Sequence, residues 1–225
     1  MVGHLVIEGS STVRGVGDET GRFGFAGRLA THFLSDGPRP QEPEWVYVHT
    51  FAQLDRQLPT FAPDVADDVR RARAVTPTYP RGLGFVGIFG VGGVMDYAVA
   101  RQGKDAVIAT WQDSLAQLKE VCEREHIAPI FFGLPRIARM RNGNVPDAEL
   151  RDKLEAYTVE TARSLDAPYV TFETIVGDDL PHCFAPDGRH PNAAGHQKVF
   201  EYLLPLVTER FVAAAGHLAA VQDKT

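Results

Sequence analysis

Five short apolar segments, rich in β-branched and aromatic residues, recur along the chain at intervals of roughly forty residues. They are HLVIE (4–8), WVYVHT (45–50), LGFVGIFG (83–90), APIFFGL (128–134) and APYVTFE (167–173). Apolar runs of this length, bounded by turn-forming residues, are typical of buried strands. The pattern therefore predicts five strands.

Helical patterns lie between these strands. The clearest covers 105–125, where apolar residues step by three and four along one face: Val107, Trp111, Leu115, Leu118 and Cys122. Further helices are predicted over 62–73, 147–164 and 193–219, the last one after Asn192, a favoured N-cap residue. Regular alternation of strand and helix implies parallel pairing with right-handed crossovers. We therefore expect a three-layer α/β/α fold, a five-stranded parallel sheet with helices on both faces.

Length and composition limit the number of domains and the classes of partner that the chain is expected to have. A chain of 225 residues with 44% hydrophobic content can bury one good core, so a single domain over residues 1–225 is expected. The formal charge of −6 is spread along the chain, which disfavours nucleic acid and anionic membranes as partners. The start of the chain lacks the features of a secretory signal, which indicates a cytoplasmic protein. Cys122 and Cys183 are expected to be reduced thiols.

Candidate chemistry lies near both ends of the chain. Ser10 and Ser11 follow the first predicted strand, at the carboxyl edge of the sheet. In FAPDGRHPNAAGH (184–196), Asp187 and His190 are three residues apart in a predicted turn. Such a turn can bring the carboxylate against Nδ1 of His190 while Nε2 faces a serine on a neighbouring loop. The residues predict a Ser-His-Asp triad and leave the choice of serine open.

Other polar features have competing interpretations. His182, His190 and His196 are close in sequence but lack zinc-ligand spacing, so we expect no metal and no cofactor. Glu8, beside Gly9 at the end of a buried strand, indicates either an edge position or a carboxylate that faces the site.

Two blocks carry a family resemblance. GSSTVRG resembles the first block of the SGNH (GDSL-type) hydrolases, and PDGRHPNAAGH resembles their last block. The family has a glycine four residues after its nucleophile. Gly15 stands four residues after Ser11, so the resemblance selects Ser11 and puts Ser10 at the usual aspartate position. It implies a flavodoxin-like sheet, Ser11 as nucleophile, His190 as general base and Asp187 as its orienting group. It also implies acyl chemistry on a small-molecule substrate without a metal.

The two middle blocks depart from the family, which there supplies a glycine amide and an asparagine side chain to the oxyanion hole. The segment HTFAQLDRQLPT contains no glycine, and GVGGVMD (90–96) puts Val94 or Met95 at the asparagine position. Loss of one such side-chain donor typically costs ~2.7 to 4 kcal/mol of transition-state stabilisation. Backbone amides can replace it in a Gly-rich turn, which makes the following residues oxyanion-hole candidates: Ser11, Gly92 and Gly93. Four side chains are open alternatives: Arg14, His49, Gln53 and Arg56.

The leading hypothesis is a serine-dependent esterase or deacylase that acts on a small ester or activated acyl substrate. One alternative keeps Asp187 and His190 as acid and base, in an acyltransferase or in a cyclase or lyase on a specialised metabolite. A second alternative is a catalytically silent binding module that keeps the fold.

Overall fold

Five parallel strands form one sheet in the computed structural model of the chain, which describes residues 2–35, 43, 45–54, 56–75, 83–92, 102–136 and 147–222. Their bounds are β1 Val2–Gly9, β2 Trp45–Ala52, β3 Leu83–Val91, β4 Ile127–Gly133 and β5 Tyr169–Thr171. The strand order is β2-β1-β3-β4-β5, which is the flavodoxin-like order. All five predicted strands are confirmed. The last is shorter than predicted, because a helix begins at Phe172.

Strand β1 lies inside the sheet and pairs with β2 and β3. All eight of its residues are buried, which explains why its sequence is nearly continuously apolar rather than alternating. His4 and Glu8 are the two polar side chains in this run, and Glu8 bears on the earlier prediction. It is paired in register with Phe51 on β2 and Phe89 on β3, so the expectation of an edge position was wrong.

Helices connect the strands. Their bounds are α1 Gly24–Ser35, α2 Leu58–Phe61, α3 Val65–Ala74, α4 Lys104–Glu125, α5 Ala148–Ser164, α6 Phe172–Val176, a 3₁₀ helix Gly177–His182 and α7 Ala193–Gln222. The predicted helices correspond to α3, α4, α5 and α7. Helix α1 was not predicted. It carries Gly24 and Gly27 in its first turn, and glycine is a weak helix former.

The helices cover both faces of the sheet and bury two apolar clusters. One cluster joins α2, α3, α4 and α5 to the sheet through side chains that include Val6, Phe89 and Trp111. The other joins α1 and α7 to the opposite face through Leu5 and Ile7. The predicted stripe of α4 is buried at all five positions. The expected three-layer α/β/α architecture is confirmed.

Three further observations on the described residues concern the cysteines, the helices and the start of α7. Cys122 and Cys183 are both buried free thiols, as expected. Among the described helices, none is long and apolar enough to cross a membrane. Asn192 does cap α7, since its Oδ1 accepts a hydrogen bond from the amide of Gly195 at 2.9 Å.

Candidate active site

Ser11 lies in a tight turn directly after β1. The amide of Arg14 donates to the carbonyl of Ser10, and the amide of Val16 donates to the carbonyl of Ser11, each at 3.0 Å. These bonds bend the chain away from the sheet at its carboxyl edge. The Ser11 side chain is half-buried, and within the described residues its own amide donates to no acceptor.

Asp187 and His190 lie in a second loop that folds back on itself. The amide of Ala185 donates to the carbonyl of His190 at 2.8 Å, and the amide of Asn192 donates to the carbonyl of Cys183 at 2.9 Å. Asn192 also donates through Nδ2 to the carbonyl of Phe184 at 3.1 Å. This short antiparallel ladder holds the tip that contains Asp187 and His190.

The two loops bring the three predicted side chains together. His190 Nε2 is 2.9 Å from Ser11 Oγ, and His190 Nδ1 is 2.5 Å from Asp187 Oδ2. The other carboxylate oxygen of Asp187 accepts from the amides of Arg189 and His190 at 2.9 and 3.1 Å. The arrangement matches a neutral imidazole that donates to a carboxylate and accepts from a hydroxyl.

The electrostatics favour an ionised Asp187. Burial acts to raise the pKa of this carboxyl, but the hydrogen bonds from the His190 ring and from the two backbone amides outweigh it and hold the pKa below its usual value. A carboxylate in this state keeps the proton of His190 on Nδ1, which leaves Nε2 free to accept the Ser11 proton.

Close packing of the Ser11 loop requires glycine at two positions, Gly17 against the His190 loop and Gly15 against the residues that lead into α1. A Cβ atom at Gly17 would lie 2.4 Å from the carbonyl oxygen of Pro191 and 2.9 Å from Cβ of His190. A Cβ atom at Gly15 would lie 2.2 Å from the carbonyl carbon of Phe23. Both glycines have positive φ, +85° at Gly15 and +96° at Gly17. The glycine that helped to select Ser11 in the sequence therefore has a steric role.

A buried ion pair connects the Ser11 loop to α1. Asp18 pairs with Arg28 of α1, and Asp18 Oδ2 accepts from the amide of Gly24 at 3.0 Å. Burial acts to raise the pKa of Asp18, but the hydrogen bonds from Arg28 and from its other partners hold that pKa far below its usual value. Arg28 Nε also donates to Gln197 of α7 at 3.0 Å. The pair therefore links the loop, α1 and α7.

Helix α7 makes two further contacts with the Ser11 loop. The amide of Ala193, at the start of α7, donates to Glu19 Oε2 at 3.0 Å. His196 is fully buried under the loop, with Nε2 3.4 Å from the carbonyl oxygen of Val16, and burial lowers its pKa to about 4. Sequence reasoning missed Gly17, Asp18, Glu19 and Arg28. Only the glycine pair at 15 and 17 offered a signal.

Solved structures resemble this fold. TesA gives a TM-score of 0.65 at 14% sequence identity, over 92% of this chain and 99% of its own. A member of the lipolytic G-D-S-L family from Veillonella parvula gives 0.61 at 14% identity, over 92% and 99%. The acetylxylan esterase Axe2 from Geobacillus stearothermophilus gives 0.59 at 16% identity, over 91% and 93%. The chain has the SGNH-hydrolase fold. No protein-family model and no curated protein matches the sequence.

The oxyanion-hole candidates occupy different surroundings in this SGNH-type fold. Gly92 is half-buried directly after β3, the strand beside β1, whereas Gly93, Val94 and Met95 lie outside the described residues. Of the alternatives, the Arg14 side chain is exposed, and His49 Nε2 lies 3.0 Å from Nδ1 of His4.

The other two alternatives lie in the loop after β2. The amide of Gln53 donates to the carbonyl of Gly9 at 3.2 Å. The Arg56 guanidinium is engaged by buried carboxyl groups. Arg56 is therefore committed to Glu8 and Asp68.

A pocket opens at the carboxyl ends of β3, β4 and β5, between α4 and α5, with Gly92 in its lining. Its apolar walls include Val91, Trp111, Leu134, Leu150 and Leu154. Its polar lining includes Arg136, Glu155, Tyr169 and Glu173. Ligands of open α/β sheets bind outside the carboxyl ends of the strands, and this pocket lies at that edge. Its described lining contains Gly92 but none of Ser11, Asp187 and His190, so it is a candidate site for a part of the substrate beside Gly92.

Proposed function

We propose that the protein is a serine-dependent ester hydrolase, with Ser11 as nucleophile, His190 as general base and Asp187 as the group that orients His190. The observation that carries the proposal is the chain of hydrogen bonds from Ser11 Oγ through His190 to Asp187, at 2.9 and 2.5 Å. A serine hydroxyl becomes a useful nucleophile when a positioned base accepts its proton.

The proposed reaction has two steps. Ser11 Oγ attacks the ester carbonyl while its proton moves to His190 Nε2, and the tetrahedral intermediate then expels the alcohol, which takes that proton. The product is an acyl-enzyme on Ser11. His190 next takes a proton from water as the water attacks, and it returns a proton to Ser11 Oγ when the acid leaves. Asp187 stabilises the imidazolium that forms in each step.

Backbone amides supply the oxyanion hole in this proposal. The Ser11 amide has no acceptor within the described chain and lies beside the reacting hydroxyl. The amides of Gly92 and Gly93 are the further proposed donors, because Gly92 follows the strand next to β1. Preorganised amides of this kind stabilise the negative charge that develops on the carbonyl oxygen.

The pocket and the structural neighbours support the proposed substrate class. The mainly apolar walls beside Gly92 suit the acyl part of a small ester. Structures with this fold include an acetylxylan esterase from Geobacillus stearothermophilus and a lipase/acylhydrolase from Enterococcus faecalis. These similarities support ester hydrolysis rather than any one alcohol or acid.

The test uses two neighbouring serines. Ser11→Ala should lower kcat/KM for p-nitrophenyl acetate by at least about 10⁴-fold, whereas Ser10→Ala, the matched control, should retain activity. A fluorophosphonate probe should label Ser11 in the wild-type protein, as located by peptide mass spectrometry. Undiminished turnover in Ser11→Ala would refute the assignment. Labelling without hydrolysis would favour acyl transfer. An absence of both would favour acid–base chemistry or a silent binding module.

We also infer that residues 1–225 form a single domain, because both apolar clusters are built on the same sheet. Urea unfolding followed by tryptophan fluorescence and by far-UV circular dichroism should then show one coincident transition. Two separate transitions would contradict this inference.

A further inference from the structure

Glu8 is a carboxylic acid in β1, a strand whose eight residues are all buried. Its side chain has no exposed surface, and neither carboxyl oxygen accepts a well-formed hydrogen bond from an N–H or O–H donor. It lies three residues before Ser11, on the same face of β1 as Val6, towards α2 and α3. It therefore does not face the active site, and the triad does not use it.

A second buried carboxyl lies against it. Asp68 of α3 is only 2% exposed, and its Oδ2 lies 3.0 Å from the same Arg56 nitrogen that is 3.1 Å from Glu8 Oε2. The two carboxyl groups therefore lie close together. Two carboxylates cannot hydrogen-bond to each other, whereas one protonated carboxyl can donate to the other. Because both are removed from water, the charged pair would also suffer a large repulsion.

Arg56 is the cation that both acids contact. Its NH2 atom is 3.1 Å from Glu8 Oε2 and 3.0 Å from Asp68 Oδ2. Two more charged groups face the cluster from its rim, both largely exposed: Asp64, 3.6 Å from Arg56, and Arg71, 3.3 Å from Asp68. One buried guanidinium neutralises one of the two buried carboxyls, which leaves the other to hold a proton.

The position of the proton follows from the surroundings. Burial raises the pKa of Glu8 to about 9, with Arg56 opposing the shift and Asp68 adding to it. Asp68 is the acid that accepts a hydrogen bond from Arg56, at 3.0 Å. Glu8, whose oxygens accept none among the described residues, is therefore the acid that favours its protonated form.

The cluster is connected to the nucleophile turn. Arg56 ends the loop that follows β2, and its amide donates to the carbonyl of Gln53 at 3.3 Å. Gln53 in turn donates to the carbonyl of Gly9 at 3.2 Å, two residues before Ser11. The loop is therefore attached to β1 at two adjacent points, through a side chain at Glu8 and through the backbone at Gly9.

We propose that Glu8 and Asp68 share one proton beneath the nucleophile turn, and that this acid pair, through Arg56, positions the loop after β2 against the turn that carries Ser11. The positioning part rests on the proposed function of Ser11. The shared proton does not, and it can be measured without any substrate.

The first test detects the proton. Infrared spectra of the wild-type protein at neutral pH should contain the carbonyl band of a protonated carboxylic acid. Glu8→Gln should lose this band, and the matched control Asp67→Asn, an exposed position on the same helix, should keep it. If Glu8→Gln does not fold, Asp68→Asn serves instead, because Glu8 then ionises against Arg56 and the band is lost. A band that persists in either Glu8→Gln or Asp68→Asn overturns the shared proton.

The second test measures positioning. The rate of fluorophosphonate labelling at Ser11 in the wild-type protein should fall by about tenfold at one pH unit above the pKa of about 9. Glu8→Gln, which stays neutral, should match the wild type within about threefold at pH 7 and show no such fall. Equal alkaline decline in the two proteins overturns the positioning role.

A third readout separates this inference from the proposed function. The folded chain keeps the Glu8 proton between pH 4.5 and about 9, whereas the unfolded chain loses it. The melting temperature of the wild type should therefore fall relative to that of Glu8→Gln as the pH rises through this window. If Ser11 proves unreactive at every pH, the proposed function fails and the positioning role fails with it, while the infrared band and the melting temperatures still decide the shared proton.

Discussion

Gly17→Ala probes the contact that holds the His190 loop against the Ser11 loop. Gly17 has φ of +96°, and an added Cβ atom would lie 2.4 Å from the carbonyl oxygen of Pro191 and 2.9 Å from Cβ of His190. Gly21→Ala is the matched control. Gly21 has φ of +70° in the same segment, but a Cβ atom there would have no neighbour within 4 Å. The two variants share the backbone strain and differ in the steric clash.

The expected losses of stability and activity follow from the backbone strain and from the steric clash. A non-glycine residue held at positive φ costs on the order of 1–3 kcal/mol, and this cost applies to both variants. Forcing extra volume into a packed contact adds about 1–3 kcal/mol at Gly17 only. The contact can relax only if the loop that carries His190 moves outward, and a displacement of about 1 Å in a catalytic group can lower the rate by about 10²-fold.

Urea unfolding and steady-state kinetics with p-nitrophenyl acetate measure the two effects separately. We expect Gly17→Ala to lose about 1–3 kcal/mol more stability than Gly21→Ala, and about 10²-fold in kcat/KM. The control should stay within about threefold of the wild-type kcat/KM, because nothing near it moves. Equal activity in the two alanine variants would show that the contact does not position His190.

Three other substitutions test separate parts of the site. Asp187→Asn should lower kcat by about 10³- to 10⁴-fold with little change in KM, because an amide cannot stabilise the His190 imidazolium; a steady-state kcat near the wild-type value would contradict this. Asp18→Ala leaves Arg28 buried without its carboxylate, so urea unfolding should show a loss of about 3–5 kcal/mol, and a loss near zero would argue against the ion pair. Burial lowers the pKa of His196 to about 4 from 6.5, so the unfolded chain binds a proton between these values that the folded chain does not. The free energy of unfolding should therefore fall as the pH falls through that window. In urea titrations, His196→Gln should reduce the dependence of this free energy on pH by about 1.4 kcal/mol per pH unit. An unchanged dependence would assign the proton to another group.

The strands were predictable because each is a short run rich in β-branched and aromatic residues. Strand β1 is buried at every residue, so alternation was not needed to find it, whereas the edge strand β2 is mostly half-buried or exposed. Helix α4 was predictable for the opposite reason, since its buried side chains follow the helical period along one face. Helix α1 was missed because Gly24 and Gly27 weaken its local propensity. Its packing against α7 and the sheet, which no local pattern reports, stabilises it instead.

In the site, too, some residues were predictable from the sequence and others depend on tertiary packing. Residue spacing pointed to Asp187 and His190 and left two serines open, and the family resemblance selected Ser11; the structure places these three side chains in hydrogen-bonding contact. The supporting contacts were not predictable, because Asp18 and Arg28 meet across an irregular turn that carries no periodic signal. Neither interpretation of Glu8 anticipated its partner on α3, because the contact depends on how a helix packs across the sheet.

The two halves of the candidate site are made at different times. Ser11 and His190 are 179 residues apart in sequence, although their side chains are in contact in the folded chain. Ribosomes add about 5–20 residues per second, so roughly 10 to 40 s separate the synthesis of the serine from that of its base. Throughout this interval the serine of the nascent chain is an ordinary alcohol. Under the proposed function, Ser11 would become reactive only after the loop that carries His190 has folded against the Ser11 loop.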